Sequence, residues 1–302
     1  MSTFLQARYR SPMTARRQSW KRFRRNWKTS LGNLLISIPL VGVAILMFLP
    51  FIWSISFSFG LPQEFFRLPP PVFPSGLRLD NYQTVFERVP FLTFYKNSLV
   101  VALVVTLGQM LTCSMGGYAF ARLRFPGKRL LFLLFLSAMM VSPQVTFIPN
   151  FIIVRSLGMY NTLWALIVPA LTNVFGIFLM RQFFETIPQD LEDAAKIDGA
   201  SFYRIYWHVM LPLAWPSLAT LGILTFNTSW NSFLPPLIFI NSTSEMTLPL
   251  GMIFLRGTGL NTENVGALMA ATVLILLPVL VFFMIFQRKI VQGITTTGLK
   301  GI

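Results

Sequence analysis

Charge is absent from six long stretches of this chain, and no other feature limits its folding as strongly. The uncharged windows run 29–63, 97–121, 130–154, 156–180, 205–244 and 264–287. Each reaches or exceeds the ~20 residues an α-helix needs to cross a ~30 Å hydrocarbon core. A helix also satisfies its own backbone groups, as lipid demands. The windows predict six spanning helices near Leu34–Phe57, Asn97–Phe120, Leu130–Ile153, Leu163–Met180, Leu213–Phe239 and Val265–Phe286. The ~10-residue alternating segments of a membrane barrel do not occur. Only 12% of the 302 residues are charged and 54% are hydrophobic, against about 25% charged in an ordinary soluble domain. The expected fold class is therefore an all-α integral membrane protein with six transmembrane helices.

Six spans place both termini on one side. If that side is the cytoplasm, the inner segments hold 19 Lys and Arg and the outer segments 6. That asymmetry predicts an N-in, C-in orientation in a cytoplasmic membrane. It also absorbs most of the net charge of +15, leaving nucleic-acid binding little to explain. The arm at residues 1–33 carries Arg16, Arg17, Lys21, Arg22, Arg24, Arg25 and Lys28. It reads equally as an interfacial segment on anionic lipid and as a topology anchor. No apolar stretch with a small-residue cleavage site follows its first basic residues, so a removable signal peptide is not expected. Domain limits are set at 1–33 for the arm, 34–286 for the six-span body and 287–302 for the tail. Pro69–Pro71 and Pro74 forbid regular helix in that part of the external segment Gly60–Pro90.

The segment Glu185–Pro212 between spans four and five holds five of the ten acidic residues: Glu185, Asp190, Glu192, Asp193 and Asp198. Pro188 suits a first helical turn, and the acids that follow complement the helix dipole. Glu192 and Lys196 stand at i, i+4 in the favourable order. Gly199 stops this helix, and Ser201 caps a second one with the stripe Phe202, Ile205, Tyr206 and Val209. The expectation is a helix–Gly–helix elbow, with Ala194 and Ala195 leaving backbone open to close contact. Docking on another protein and lying on the membrane both fit that shape.

These residues carry a resemblance. Asp193-Ala194-Ala195, three residues, Gly199, nine residues, then Val209-Met210-Leu211-Pro212 resembles the signature loop of bacterial ABC importer permeases. Asp193 stands where that family has Glu, and Val209 where it has Ile. Lys196–Ser201, Trp230–Leu237, Thr247–Gly251 and the tail from Val291 to Gly301 are similar to the maltose-type sugar branch. The resemblance implies a type I importer permease fold with a cytoplasmic coupling helix seated in an ATPase subunit. By carry-over, Asp193, Ala194, Ala195, Asp198 and Gly199 contact the ATPase, while Leu211 and Pro212 join the loop to span five. The implied partners are a second homologous permease, two ATPase copies and an extracytoplasmic sugar-binding protein. The implied function is one half of an ATP-driven pathway for a di- or oligosaccharide or a related polyol.

The chain carries no phosphate-binding loop: Gly127-Lys128 is followed by Arg129 and has Arg122 where the first glycine should stand. No cofactor is expected here, ATP and Mg belonging to the partner ATPase. One histidine, His208, and one cysteine, Cys113, make a His/Cys metal site unexpected, and no nucleophile–base set appears. No acid or base lies within a predicted span, which argues against a stand-alone proton-coupled carrier. A stand-alone secondary carrier, a permease for a non-sugar solute and a non-transporting scaffold stay as alternatives. Asn227, Thr228, Trp230 and Asn231, with Gln109 and Asn173, offer neutral polarity for a hydroxyl-rich solute. Interhelical hydrogen bonding explains the same residues equally well.

Overall fold

The computed structural model describes the backbone of residues 37–61, 64, 73–256 and 262–298, with side chains of the last helix described for 265–285. The basic arm, the whole Pro69–Pro71 run and the final four residues lie outside the described residues. Every regular element among the described residues is helical.

Helix α1, Ser37–Ser58, belongs largely to a separate unit, residues 1–56. Its side chains from Ile38 to Ile55 are mostly exposed and apolar, as a lipid-facing helix requires. The second unit begins at Phe57. It contains α2 (Asp80–Arg88), α3 (Phe91–Arg122), α4 (Lys128–Ala138), α5 (Pro143–Ser156) and α6 (Trp164–Ile167). A 3-10 turn at Val168–Ala170 leads to α7 (Val174–Thr186) and α8 (Asp190–Ile197). Next come α9 (Phe202–Ile205), a π turn at Tyr206–Met210, α10 (Leu211–Leu213) and α11 (Trp215–Trp230). The chain ends with α12 (Leu234–Phe239), α13 (Leu248–Arg256) and α14 (Thr262–Gly298), the last running on through most of the tail.

Two expected spans are sharply bent. The third is α4 and α5, bent by 102°. Proline explains it: Ser142 precedes Pro143 and is extended at φ −63°, ψ 132°, because the Pro ring disfavours helix in the residue before it. The fifth, expected from Leu213 to Phe239, is α11 alone. It meets the Phe202–Leu213 segment at 76° and stops at Trp230. Pro235 and Pro236 then start α12 instead of extending α11. Among the described residues four helices are long and apolar enough to cross a membrane, and six if each bent pair is one span.

Helix α3 is the spine. It packs along α7 and α11, and α14 closes against α11, α2 and α13. Glycines allow the closest approach. A Cβ on Gly117 would lie 2.6 Å from Met180 Cβ and 2.8 Å from the Arg181 backbone nitrogen. A Cβ on Gly176 would lie 2.7 Å from Cys113 Sγ. Between membrane helices, where lipid is as apolar as Leu, such close packing is a main source of cohesion.

The α3 spine serves two apolar clusters with a polar belt between them. Phe94, Val101, Ala102 and Val105 join Phe226, Trp230 and Leu248. Toward the other end, Cys113 and Tyr118 join Met180, Phe184, Ile205 and Met210. At the belt the fourth span, Trp164–Thr186, is interrupted between Ala170 and Val174. The carbonyls this frees are met by α3: Gln109 Nε2 donates to Ala170 O at 2.7 Å and Thr112 Oγ1 to Leu171 O at 2.6 Å. Asn173 Oδ1 accepts from Gly176 N at 2.6 Å and so caps α7. Irregular backbone at membrane depth persists only when paired in this way.

The α2 end is tied by amides. Asn97 Nδ2 donates to Ser244 O and Met246 O at 2.8 and 3.0 Å, and Ser98 Oγ accepts from Leu248 N at 2.7 Å. Asn161, at φ 60°, accepts from Asn241 N and Ser242 N, both at 2.8 Å. Gly117→Ala, facing backbone, is expected to cost about 1–3 kcal/mol. Gly116→Ala, facing the flexible Ile177 side chain at 3.3 Å, is expected to cost less. Thermal unfolding of the two variants in one detergent checks this; equal midpoints would refute close α3–α7 packing as the reason.

Candidate functional site: the elbow and the bundle cavity

The elbow forms as the sequence suggests, with different internal pairing. Helix α8 starts at Asp190, two residues after Pro188, and carries Asp190, Glu192 and Asp193 in its first turn. Gly199 takes φ +77° with open space where a Cβ would stand, so conformation alone asks for glycine there. Ala200 N reaches back to Ala195 O at 2.9 Å. Ser201 Oγ accepts from Arg204 N at 3.4 Å to begin α9. Phe202 is not part of the buried stripe: it is exposed, while Ile205, Tyr206 and Met210 are buried. Cation contacts also differ from expectation. Lys196 pairs with Asp193 at 2.9 Å, leaving Glu192 to another partner.

That partner is Arg122, the last residue of α3. Arg122 Nε lies 3.2 Å from Glu192 Oε1, with the side chains 6% and 7% exposed. These two atoms approach as an ion pair without the alignment of a hydrogen bond. The same guanidinium donates through Nη2 to Phe184 O at 2.7 Å and to Ile187 O, carbonyls at the end of α7. One side chain therefore joins α3, the end of α7 and α8. Tyr118 and Tyr206 pack beside it, ring centroids 5.4 Å apart, and Ser114 Oγ and Tyr206 Oη share a 2.7 Å hydrogen bond. Lys128 Nζ performs the matching task for α3, donating to Ala121 O and Leu123 O at 3.1 and 3.0 Å.

The outward surface of the elbow is open. Asp193, Ala194, Asp198, Gly199 and Pro212 are exposed, with Ala195 and Leu211 half-buried. Around them lie exposed apolar side chains: Ile197 at 87%, Tyr203 at 76% and Phe202 at 60% exposure. The sequence places Phe202 on an apolar stripe, whereas Ile197 and Tyr203 stand on either side of the Gly199 turn, where no single helical repeat relates them. His208 Nδ1 lies 3.1 Å from Arg204 O at an exposed position.

In the body of the bundle, a cavity of about 470 Å³ lies between α3, α5, α7, α11 and α12. Of the expected pathway residues Thr228 lines it, as do Gln109 and Asn173. The last two are also fixed by the belt: Gln109 Oε1 accepts from Thr225 Oγ1 at 2.9 Å. Trp230 does not reach the cavity. It is 1% exposed, stacked on Phe226 at 5.9 Å and edge-on to Tyr95 at 5.5 Å. Asn227 and Asn231 are exposed and bond to each other at 3.0 Å. Asn150, Ser229, Ser232 and Thr247 complete the polar lining. Thr247 Oγ1 is buried without a partner. Among the described residues no His/Cys/Asp/Glu group suited to a metal ion occurs.

Comparisons with known proteins agree with this architecture. Residues 113–296 match the family described as binding-protein-dependent transport system inner membrane component. The chain is 35% identical, over 91% of its own length and 99% of the relative's, to the arabinooligosaccharides transport system permease protein AraQ of Halalkalibacterium halodurans. It is 36% identical, over 86% and 94%, to the trehalose transport system permease protein SugB of Mycobacterium tuberculosis. The structure superposes with a TM-score of 0.75 and 23% identity on a chain of a bacterial ABC transporter that imports the acidic polysaccharide alginate, covering 86% of this chain and 97% of that one. The chain belongs to the family of inner-membrane components of binding-protein-dependent transport systems.

Proposed function

We propose that the chain is a permease subunit of an ATP-driven importer for a di- or oligosaccharide or a related polyol. The observation that carries this reading is the elbow: an open docking surface anchored to the bundle through a buried ion pair. A surface built only to rest on lipid gains nothing from exposed Asp193 and Asp198, since the inner leaflet is itself anionic. A cytoplasmic ATPase subunit with a groove for α8 uses both the acids and the apolar Ile197, Phe202 and Tyr203. The 19-to-6 bias of Lys and Arg supports placing the elbow and both termini in the cytoplasm.

The family description supplies the external partner, since transport of this kind depends on a binding protein. The remaining partners follow from the same reading: a second, homologous permease and two ATPase copies that hold ATP and Mg. Asp193, Ala194, Ala195, Asp198 and Gly199 touch the ATPase. Leu211 and Pro212 carry its motion into α11 across the 76° bend. The arm 1–33, the body 34–286 and the tail 287–302 serve as separate functional parts. The two relatives above are named for sugar transport, which supports the sugar class. Thr228, with Asn150, Ser229 and the unpartnered Thr247 hydroxyl, gives the cavity hydrogen-bonding capacity without charge. Asn227 and Asn231 face outward toward a second permease, and Trp230 holds their helix in place from behind.

Purification of the tagged chain from its native membrane in mild detergent tests the assembly. Co-purification of an ATPase, a second permease and a sugar-binding protein is expected. Recovery of the chain alone, with uptake indifferent to ATP depletion, would replace this reading with a secondary carrier. Gly199→Val forces a β-branched residue into a left-handed conformation that costs roughly 1–2 kcal/mol. Uptake in that variant is expected to fall about tenfold while the complex still assembles, and wild-type uptake would remove the elbow from the coupling path. Glu192→Ala leaves Arg122 charged and buried, a loss of about 3–5 kcal/mol that should lower the thermal midpoint. Glu192→Asp should lie between the two, and an unchanged midpoint in the Ala variant would show that the pair does not anchor the elbow.

A further inference from the structure

A second site lies on the flank of the bundle, lined by none of the residues of the cavity. The turn Phe125-Pro126-Gly127, with Gly127 at φ +75°, sends α4 off at the end of α3. A groove of about 500 Å³ opens between α3, α4 and α7. Its walls are Phe120, Phe132, Leu133 and Leu136, and its rim is Lys128, Arg129 and Arg181. The walls are ordered by aromatic contact: Phe120 lies 5.4 Å from Phe132, which stacks on Phe178 at 6.5 Å.

The rim is cationic beyond what its neighbours neutralise. Arg181 pairs with Glu185 at 2.8 Å, and its guanidinium carbon sits 3.8 Å over the Phe132 ring. Arg181 Nε is buried without a hydrogen-bond partner. Lys128 gives two donors to α3 carbonyls and keeps a third. Arg129 is exposed and has no ion-pair partner among the described residues. Three cations against one carboxylate leave two positive charges at the mouth of an apolar slot. The surrounding surface is lipid-facing, with Leu130 64% and Leu134 57% exposed.

We propose that this groove binds an anionic phospholipid, with the headgroup phosphate at Lys128, Arg129 and Arg181 and an acyl chain along Phe120, Phe132, Leu133 and Leu136. A soluble phosphate would use the rim and gain nothing from the walls. A zwitterionic lipid would use the walls and bring its own cation to the rim. Only an anionic lipid answers both halves, and basic pockets between spanning helices on the cytoplasmic side are where such headgroups gather. The site rests on the orientation assigned above, which puts the rim at the cytoplasmic leaflet.

Native mass spectrometry of the purified transport complex tests it, after relipidation with phosphatidylglycerol or with phosphatidylcholine. Wild type is expected to retain phosphatidylglycerol over phosphatidylcholine, and Arg129→Ala, at an exposed position, to cut that preference about fivefold. Leu136→Trp, which fills the groove, is expected to reduce retention of phosphatidylglycerol as well. Equal retention of both lipids, or a preference that survives both substitutions, overturns the site. Displacement of phosphatidylglycerol by inorganic phosphate at millimolar levels would reduce the site to an anion-binding rim and equally overturn it. Sugar-stimulated ATP hydrolysis is read on the same preparation. Its absence with lipid selectivity intact would count against the importer reading and leave the lipid site standing.

Discussion

The ion pair between Arg122 and Glu192 is the contact on which the elbow depends. Without it α8 would be a short amphipathic helix tethered by two loops, since eight residues are too few to hold helical shape in water by propensity alone. Burial makes the pair consequential in a way that surface pairs such as Lys196–Asp193 are not. Its Nη2 also donates to Phe184 O and Ile187 O, so the end of α7, where Ile187 N already reaches Phe184 O at 3.2 Å, gains a second donor. One charge thus answers three needs: a counter-ion, a helix cap and an anchor. Arginine suits this because its planar fork stays charged when buried and addresses several acceptors at once; lysine would be a point charge on a loose stem.

The bundle uses polarity differently at its two levels. At the elbow end, full charges meet in pairs beside water. At the belt, where charge would be expensive, Gln109, Thr112, Asn173 and Thr225 supply neutral groups to backbone freed by the interruption of span four. Gln109, Asn173 and Thr225 also face the 470 Å³ cavity. A hydroxyl-rich solute can exchange hydrogen bonds with such a lining at little net cost, as water does. An ion would find no counter-charge there. The absence of intramembrane acids and bases is therefore a property of the belt as well as of the composition.

Much of this was legible in the sequence, and the limits are physical. Charge-free windows located the membrane segments because desolvating a charge in lipid is costly wherever it occurs. The Gly199 turn and the Ser201 cap were legible because they are local and depend on one residue each. Glu192 was assigned to Lys196, since spacing along one helix is all a sequence displays. Its actual partner, Arg122, lies 70 positions earlier and meets it only after α3 and α7 have packed. The bends failed for a related reason. Pro143 and Pro235 were visible, yet proline within a membrane window either kinks a helix or divides it, and neighbouring helices decide which. The sequence groups Trp230 with the amides as neutral polarity for a solute, while its burial against Phe226 and Tyr95 arises from tertiary packing.

These pieces combine in α3. At 32 residues and 1.5 Å per residue the helix is about 48 Å long, enough to cross the membrane by itself. Its last residue grips the elbow through Glu192. Near its other end Asn97 and Ser98 hold the backbone at Ser244, Met246 and Leu248. Gly117 presses it against α7 without the slack a side chain would introduce. The neighbouring segments, in contrast, are divided: α4 from α5 by 102°, and the elbow from α11 by 76°. Displacement of α8 therefore has one stiff route to the far end of the bundle and two jointed ones around the cavity. Under the proposed importer function, carrying a binding partner's signal across a membrane while a pathway between opens and closes would use both kinds.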